Sequence, residues 1–238
     1  MIDPDWPAPS RVFALQTTRR GGVSVGAFAS LNLGDHVGDD PGAVSANRAR
    51  LAERLPGEPL WLRQVHGVGI AETGRYPVGC EADAAIARRP GQLCVVMTAD
   101  CLPVLLCDRA GTVVAAVHGG WRSLAAGLVE KTVTAMGVAG GGLLAWLGPA
   151  IGPEVFEVGG EVRNLFVQHD PPAETAFRPR GNGKYLADIY DLARLRLASV
   201  GVDSVYGGNL CTVGDSDRFF SFRRDGATGR MATIIGLV

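Results

Sequence analysis

The chain carries its apolar residues in short runs that glycine, proline, aspartate and asparagine interrupt. Such runs between turn-forming residues are typical of buried strands, whereas an amphipathic helix needs a longer stretch with its apolar residues on one side. We therefore predict strands over residues 12–18, 59–67, 93–98, 103–107 and 112–121, a strand with a rigid turn over 143–153, and three closing strands near 204–211, 219–224 and 231–237.

Helix start and stop signals lie between these runs. Asp40 before Pro41 is typical of an N-cap followed by the first helical residue, and it predicts a helix to about residue 55. Ser123 is a candidate N-cap for a helix that Gly137 ends. Two more helices are expected at about 159–168 and 186–200, the second stopped by Gly201, with a surface loop over 169–183. Strands and helices interleave without a repeat or a linker, so we predict one domain, residues 1–238, with mixed sheets.

Composition restricts the class of protein. The formal net charge is −1, so no global field draws the chain to nucleic acid or to a membrane surface. No apolar stretch approaches the roughly 20 residues of a membrane span, and the first residues lack the features of a signal peptide. The five cysteines form an odd set without CxxC spacing, which does not suit a disulfide framework. We expect a cytoplasmic protein with reduced thiols that binds neither nucleic acid nor membrane.

A break in the apolar pattern carries the candidate chemistry. In "MTADCLPVLLCD" (97–108), Asp100 and Cys101 separate two apolar runs and put a carboxylate beside a thiol. Two of the four histidines, His66 in "RQVHG" and His118 in "AAVHGGW", end other apolar runs. Side chains at the strand ends of one sheet system can converge. His66, Cys101 and His118 would then form a three-ligand zinc site with a fourth position open to water or substrate.

The same side chains allow other interpretations. Buried cysteines and histidines are often only core residues, and the wide spacing does not match a zinc finger. Without a metal, Cys101 would act as a nucleophile and His118 as its base, as in cysteine hydrolases. Asp100 would be a general base, an orienting carboxylate or a turn cap. A purely structural zinc needs a fourth protein ligand, and the nearest candidate, Cys107, is more typical of a strand in the core.

Three arginines are candidate ligands of an anionic substrate. Arg122 in "HGGWRS" lies where we expect a helix to begin, and helix N-termini attract phosphate. Its guanidinium would add a fork of donors. Arg63 lies three residues before the histidine of "RQVHG", and Arg223 lies in "FFSFRRD". We therefore name Arg63, Arg122 and Arg223 as substrate-binding candidates.

Longer motifs add a family resemblance. The chain contains, in this order, "SLNLGDHVGD", "WLRQVHG", "ADAAIA", "MTADCLPVLLCD", "AAVHGGWRSLAAG", "LAWLGPAIGP", "FEVGGEV", "KYLADIYDLAR" and "FFSFRRDGATGRMA". In these motifs it resembles the bacterial laccase-domain family, also called the polyphenol oxidase or purine nucleoside phosphorylase family, which includes the peptidoglycan editing factor. The resemblance covers about residues 6–237. "VHGGWRS" departs slightly from the more usual "VHAGWRG" and retains its histidine and arginine.

The resemblance implies an α+β fold with layered mixed β-sheets flanked by helices, a monomer or weak dimer, and a metal site at His66, Cys101 and His118. It also implies zinc-dependent phosphorolysis of purine nucleosides (adenosine, inosine or methylthioadenosine) with adenosine deaminase activity. Cys101, His118 and Asp100 are then the catalytic candidates. The alternative activity is an amidase that removes a wrongly attached amino acid from a UDP-MurNAc precursor of peptidoglycan.

A multicopper polyphenol oxidase is the least expected activity. Its copper cluster needs many imidazoles, and the chain has four histidines. Cu²⁺ could still occupy the Cys/His/His site, because it outcompetes Zn²⁺ for most nitrogen and sulfur ligand sets. We therefore expect a zinc enzyme with a small-molecule substrate, either a purine nucleoside and phosphate or a nucleotide-linked sugar.

Overall fold

The apolar runs form two large β-sheets in the computed structural model, which describes residues 1–238. The four-stranded sheet contains, in spatial order, β1 (Val12–Gln16), β13 (Met231–Leu237), β5 (Gln92–Thr98) and β2 (Glu58–Leu60). The six-stranded sheet contains β12 (Val205–Gly207), β8 (Leu143–Leu147), β6 (Leu102–Asp108), β7 (Val114–Gly119), β4 (Ala84–Ala87) and β3 (Ile70–Glu72). A small third sheet consists of β10 (Phe177–Gly181), β11 (Lys184–Ala187) and β9 (Glu157–Gly159).

Six α-helices accompany the sheets: α1 (Pro41–Ala52), α2 (Trp121–Ala125), α3 (Leu128–Met136), α4 (Gly160–His169), α5 (Ile189–Ala198) and α6 (Phe222–Asp225). Short 3₁₀ turns cover Gly26–Phe28, Gly140–Gly142 and Pro171–Ala176. The predicted cap of α1 is confirmed, because the Asp40 carboxylate accepts a 2.8 Å hydrogen bond from the backbone N–H of Ala43. None of the six α-helices combines the length and the apolar character that a membrane span requires.

Side-chain alternation buries both faces of the central strands. In β6, Val104 and Leu106 belong to the core that packs under α3 and α5, while Leu105 faces the four-stranded sheet. In β5, Val96 faces the six-stranded sheet and Val95 joins the core under α1. The layers are therefore α1, four strands, six strands, and the helices α3 and α5. Both large sheets contain parallel and antiparallel pairs, so the predicted α+β fold with layered mixed sheets is confirmed.

The strand predicted over 59–67 is too long. Only Glu58–Leu60 pairs with β5, and the chain then runs irregularly to His66, whose φ is +58°. A left-handed residue cannot continue a pleated strand. His66 therefore lies in a loop and not at a strand end.

The single helix predicted from Ser123 is divided in two. Gly120 precedes α2, and Gly127 with φ +82° separates α2 from α3. Ser123 lies inside α2, and its buried hydroxyl has no hydrogen-bond partner. The predicted end at Gly137 is confirmed, where φ is +71°.

Three predictions in the C-terminal half are also wrong. The expected surface loop over 169–183 contains a 3₁₀ turn and β10. The helix expected from about residue 186 begins only at Ile189, because β11 extends to Ala187. The strand expected over 219–224 does not form: Phe219 and Phe220 are buried in an irregular segment, and α6 follows. Local sequence patterns do not distinguish a buried strand from a buried irregular segment of the same length.

The buried hydroxyl of Tyr190 joins two loops near the C-terminal end of β8. It accepts a 2.8 Å hydrogen bond from Ala150 N–H and lies 3.2 Å and 2.5 Å from the carbonyl oxygens of Gly148 and Leu210. Tyr190→Phe should lower the free energy of unfolding by about 1–3 kcal/mol, because a buried N–H loses its partner. Urea denaturation measures this loss. Tyr206→Phe is the control, and equal effects of both variants would contradict the prediction.

Candidate functional site

His66, Cys101 and His118 meet at one end of the two large sheets. His118 is the next-to-last residue of β7, Cys101 lies between β5 and β6, and His66 lies in the loop after β2. Their ligand atoms all lie within 4.8 Å of one another. Cys101 Sγ is 3.7 Å from His66 Nε2, and the two imidazole centroids are 4.7 Å apart. The structure thus brings together the three side chains that the sequence analysis named as metal ligands.

An unusual backbone conformation presents Cys101. Asp100 has φ +98°, a region that side-chain-bearing residues rarely adopt. Its carboxylate accepts 2.6 Å hydrogen bonds from the Thr212 hydroxyl and from the backbone N–H of Arg223. Its carbonyl accepts a 2.9 Å hydrogen bond from Ile151 N–H. These bonds to three separate segments hold the turn that directs the thiol toward the histidines.

Asp83, a residue that the sequence analysis missed, holds both histidines in place. It has no exposed surface. Its carboxylate accepts hydrogen bonds from the backbone N–H groups of Val65, His66 and Gly67 at 3.2, 2.9 and 2.7 Å. It lies 2.8 Å from His118 Nδ1. The carboxylate selects the His118 tautomer with Nδ1–H, which leaves Nε2 free for the site.

Asp83, Cys101 and His118 stabilise one another's charged forms. Burial opposes ionisation of Asp83, but the hydrogen bonds from His118 and the backbone outweigh it and hold the pKa of the carboxyl below its usual range. Burial also opposes ionisation of Cys101, but His118 and His66 outweigh it and lower the pKa of the thiol. Burial lowers the pKa of His118, but Cys101 and Asp83 together raise it. A thiolate is the form of cysteine that binds metals.

Gly120 leaves the space between the three ligands open. A Cβ atom at this position would lie 3.0 Å from His66 Cδ2, 3.2 Å from Cys101 Sγ and 3.7 Å from His118 Cε1. The two imidazoles and the thiolate around this space are donor types that zinc prefers. Three protein ligands leave one of the four tetrahedral coordination positions open. Cys107, the candidate for a fourth ligand, is instead fully buried in the core between the sheets. The residues present therefore fit a zinc ion with an open coordination position.

The cluster lies in a cavity of about 520 Å³. This volume is in the range of roughly 300–1,000 Å³ that small-molecule sites occupy. Arg122, Arg223 and Arg230 are among the lining residues, together with the aromatic rings of Trp121, Phe156 and Phe222. Arg63 does not line the cavity: its exposed guanidinium pairs with Glu81. Of the three predicted substrate-binding arginines, the structure therefore places two at the cavity and one outside it.

The residues that the sequence analysis missed carry weak local signals. Asp83 lies within the quoted "ADAAIA" motif, where an acid at the start of an apolar run looks like a turn residue. Arg230 lies in the quoted "ATGRMA", just before β13. An acid within an apolar stretch and an arginine beside a buried strand are the patterns that could have indicated them, since buried charges need partners.

Comparisons with known proteins agree with this architecture. The model of a family described as multi-copper polyphenol oxidoreductase laccase matches residues 13–238. A purine nucleoside phosphorylase of Pseudomonas aeruginosa is 57% identical over 237 residues, which cover 99% of this chain and 98% of that protein. The purine nucleoside phosphorylase YfiH of Escherichia coli is 54% identical over 241 residues, covering 100% of this chain and 99% of that protein.

A solved structure is similar over the whole fold. It is a protein of Neisseria meningitidis with a TM-score of 0.97 and 51% identity, covering 99% of this chain and 98% of that chain. The chain belongs to the multi-copper polyphenol oxidoreductase laccase family, and the resemblance found in the sequence motifs is confirmed.

Gly120→Ala tests whether the space between the ligands is needed for a metal ion. The backbone of Gly120, with φ −60° and ψ 149°, suits alanine, so the fold should be retained. Zinc affinity should fall about tenfold, because overpacking costs about 1–3 kcal/mol. Competition with a chromophoric chelator measures the affinity. Gly141→Ala, where a Cβ meets open space, is the control, and unchanged affinity in Gly120→Ala would contradict the interpretation.

Asp83→Asn tests the shared carboxylate. The amide keeps one acceptor oxygen and turns an NH₂ group toward the donors that surround it, so His66 and His118 lose their fixed positions. We expect zinc affinity to fall about 10–100-fold. Asp108→Asn is the matched control, because Asp108 is also buried and accepts hydrogen bonds from a loop, at Thr112 and Val113. Equal zinc affinities of the two variants would show that Asp83 acts only on stability.

Proposed function

We propose that the chain is a zinc-dependent purine nucleoside phosphorylase with adenosine deaminase activity. The observation that carries the proposal is the composition of one cavity: a His/Cys/His cluster, guanidinium groups without a carboxylate partner, and aromatic rings line the same space of about 520 Å³. A nucleoside and phosphate need these three kinds of contact. The names of the Pseudomonas aeruginosa and Escherichia coli relatives support the same activity.

His66, Cys101 and His118 would hold the zinc ion. When bound, zinc acts as a Lewis acid that polarises a substrate oxygen and makes a water molecule more acidic. Asp83 would position the two histidines, and the open side of the cluster faces the cavity. Asp100 would act as a positioning residue, since both of its carboxylate oxygens already accept hydrogen bonds from Thr212 and Arg223.

The aromatic residues suit a purine ring. Trp121 and Phe156 line the cavity, and Phe222 lines it with 60% of its surface exposed. Stacking of a base on an aromatic side chain contributes about 1–3 kcal/mol. The exposed ring of Phe222 would therefore gain a partner when a nucleoside enters.

Arg122 and Arg223 would neutralise the phosphate. In phosphorolysis a phosphate oxygen forms a bond to the ribose C1′ atom while the bond from C1′ to the purine nitrogen breaks. The purine leaves with the bonding electron pair and takes up the proton that the phosphate loses, which gives a free base and ribose 1-phosphate. Guanidinium groups favour this step because they stabilise the phosphate next to an electron-rich leaving base.

The number of histidines available as copper ligands argues against a multicopper oxidase. His66 and His118 are in the cluster, His36 is at the cavity as an exposed side chain, and His169 is the last residue of α4. Copper clusters of laccases need many more imidazoles than the two that meet here.

All five cysteines are free thiols, and we propose a reducing cytoplasmic location on that basis.

The deciding experiment is chromatography of products after zinc-loaded protein has been incubated with adenosine, with and without phosphate. Adenine and ribose 1-phosphate that appear only with phosphate would establish the phosphorylase, and inosine would add the deaminase. Intact adenosine in the presence of stoichiometric zinc would overturn the proposal. Release of an amino acid from an aminoacylated UDP-MurNAc precursor would then support the amidase.

Cys101→Ala should remove bound zinc and reduce turnover of adenosine to the background rate, because the thiolate is the charged ligand of the cluster. Metal content by mass spectrometry and product chromatography measure the two effects. Cys80→Ala is the control, since Cys80 is half-buried and outside the cavity. Turnover that survives in Cys101→Ala would rule out both the metal site and a cysteine nucleophile.

A further inference from the structure

The charges that line the cavity do not balance. Arg122, Arg223 and Arg230 all line it, and none of them has a carboxylate oxygen within 4.0 Å. Asp100 is the only acidic lining residue, and both of its oxygens accept hydrogen bonds from other groups. A cavity with three guanidinium groups and one occupied carboxylate attracts anions.

Arg230 differs from the other two arginines. The Arg122 and Arg223 side chains are exposed and stack on Trp121 and Phe156, with the guanidinium carbon 4.3 Å and 5.7 Å from the ring centroids. Arg230 is half-buried and stacks on no ring. A guanidinium that has lost part of its water needs protein or ligand acceptors in exchange.

The protein fixes one side of the Arg230 guanidinium and leaves the other side free. Nη1 donates 2.9 Å and 3.0 Å hydrogen bonds to the carbonyl oxygens of Thr228 and Gly229. The backbone N–H of Arg230 donates a 2.8 Å bond to the Asn32 side chain. Nε and Nη2 have no acceptor in the protein. Together they form the two-donor edge that binds a phosphate or carboxylate with parallel hydrogen bonds.

A second unpartnered group lies nearby. Thr98 lines the same cavity, is 1% exposed, and its hydroxyl has no hydrogen-bond partner. Thr98 pairs with Met231 in the β5–β13 ladder, so it lies at the same sheet end as Arg230. Arg230 lines the same cavity as His66, Cys101 and His118, which places it on the side of the His/Cys/His cluster that the cavity opens to.

We propose that Arg230, with the Thr98 hydroxyl, forms the binding site for the phosphate oxyanion, and that Arg122 and Arg223 have the lesser share of this binding. The site takes an anion with at least two adjacent oxygens, and the occupant is the free phosphate co-substrate. This identification of the occupant rests on the phosphorylase activity proposed above. The anion site itself rests on the unpaired guanidinium edge.

Arg230→Lys tests the proposal, because it keeps the charge and removes the two-donor edge. The KM for phosphate should rise about tenfold or more, since the variant loses hydrogen bonds to a charged group and a loss of this kind weakens binding by at least that factor. The KM for adenosine should stay within about twofold. Arg89→Lys is the matched control, because Arg89 is exposed and outside the cavity. An unchanged phosphate KM in a folded Arg230→Lys protein overturns the proposal.

Calorimetric titration with inorganic phosphate separates this proposal from the proposed function. Binding that is lost in Arg230→Lys supports the anion site even in a protein that leaves adenosine intact. Phosphorolysis with a normal phosphate KM in the variant overturns the anion site alone. Binding of adenosine 5′-monophosphate, but not of free phosphate, overturns the assignment of the occupant.

A measurement on the unaltered protein covers the case in which Arg230→Lys does not fold. Phenylglyoxal labels arginine side chains, and peptide mass spectrometry locates the label. Phosphate should protect Arg230 from labelling and leave Arg89 unaffected. Equal labelling of Arg230 with and without phosphate overturns the proposal.

Discussion

Four hydrogen-bond donors converge on the buried carboxylate of Asp83: three consecutive backbone N–H groups of residues 65–67 and Nδ1 of His118. The hydrogen bonds from these donors keep the carboxylate ionised inside the protein, where a lone charge would be very costly. One side chain thus determines both the left-handed loop at His66 and the direction of the His118 ring. The geometry of the His/Cys/His cluster depends on this single group, which does not itself line the cavity.

The third side chain of the cluster, Cys101, follows a residue with a strained backbone, Asp100, which the surrounding contacts hold in that conformation. Positive φ values occur in three non-glycine residues, and two of them, His66 and Asp100, lie at the site. Such conformations cost of order 1–3 kcal/mol each and persist only where neighbouring contacts enforce them. Around Asp100 these contacts come from Thr212, Arg223 and Ile151, which belong to three separate segments. The thiol of the site is therefore held by the tertiary fold and not by its own strand.

The sequence was informative where a pattern is local. The runs that became β5, β6 and β7 are mostly apolar because both faces are buried, and the Asp40 cap depends only on the next few residues. The helix start predicted at Ser123 was wrong: serine is a good cap residue, but Gly120 precedes the helix and Gly127 interrupts it. Asp83 and Arg230 could not be assigned, because their partners lie up to 198 positions away along the chain. Ligand types were predictable from residue chemistry, whereas the groups that orient them depend on long-range packing.

The connection between β5 and β6 has a consequence for how this chain can vary. Only residues 99–101 join the two strands, and in that distance the chain passes from the four-stranded sheet to the six-stranded sheet. One added or deleted residue there would move Cys101 by about 3.3–3.6 Å along the chain. That displacement is close to the 3.7 Å that separates its sulfur from His66. The number of residues in this connection is therefore as restricted as the identity of the cysteine. The exposed hairpin turn at 182–183, between β10 and β11, is by contrast a place that tolerates insertions.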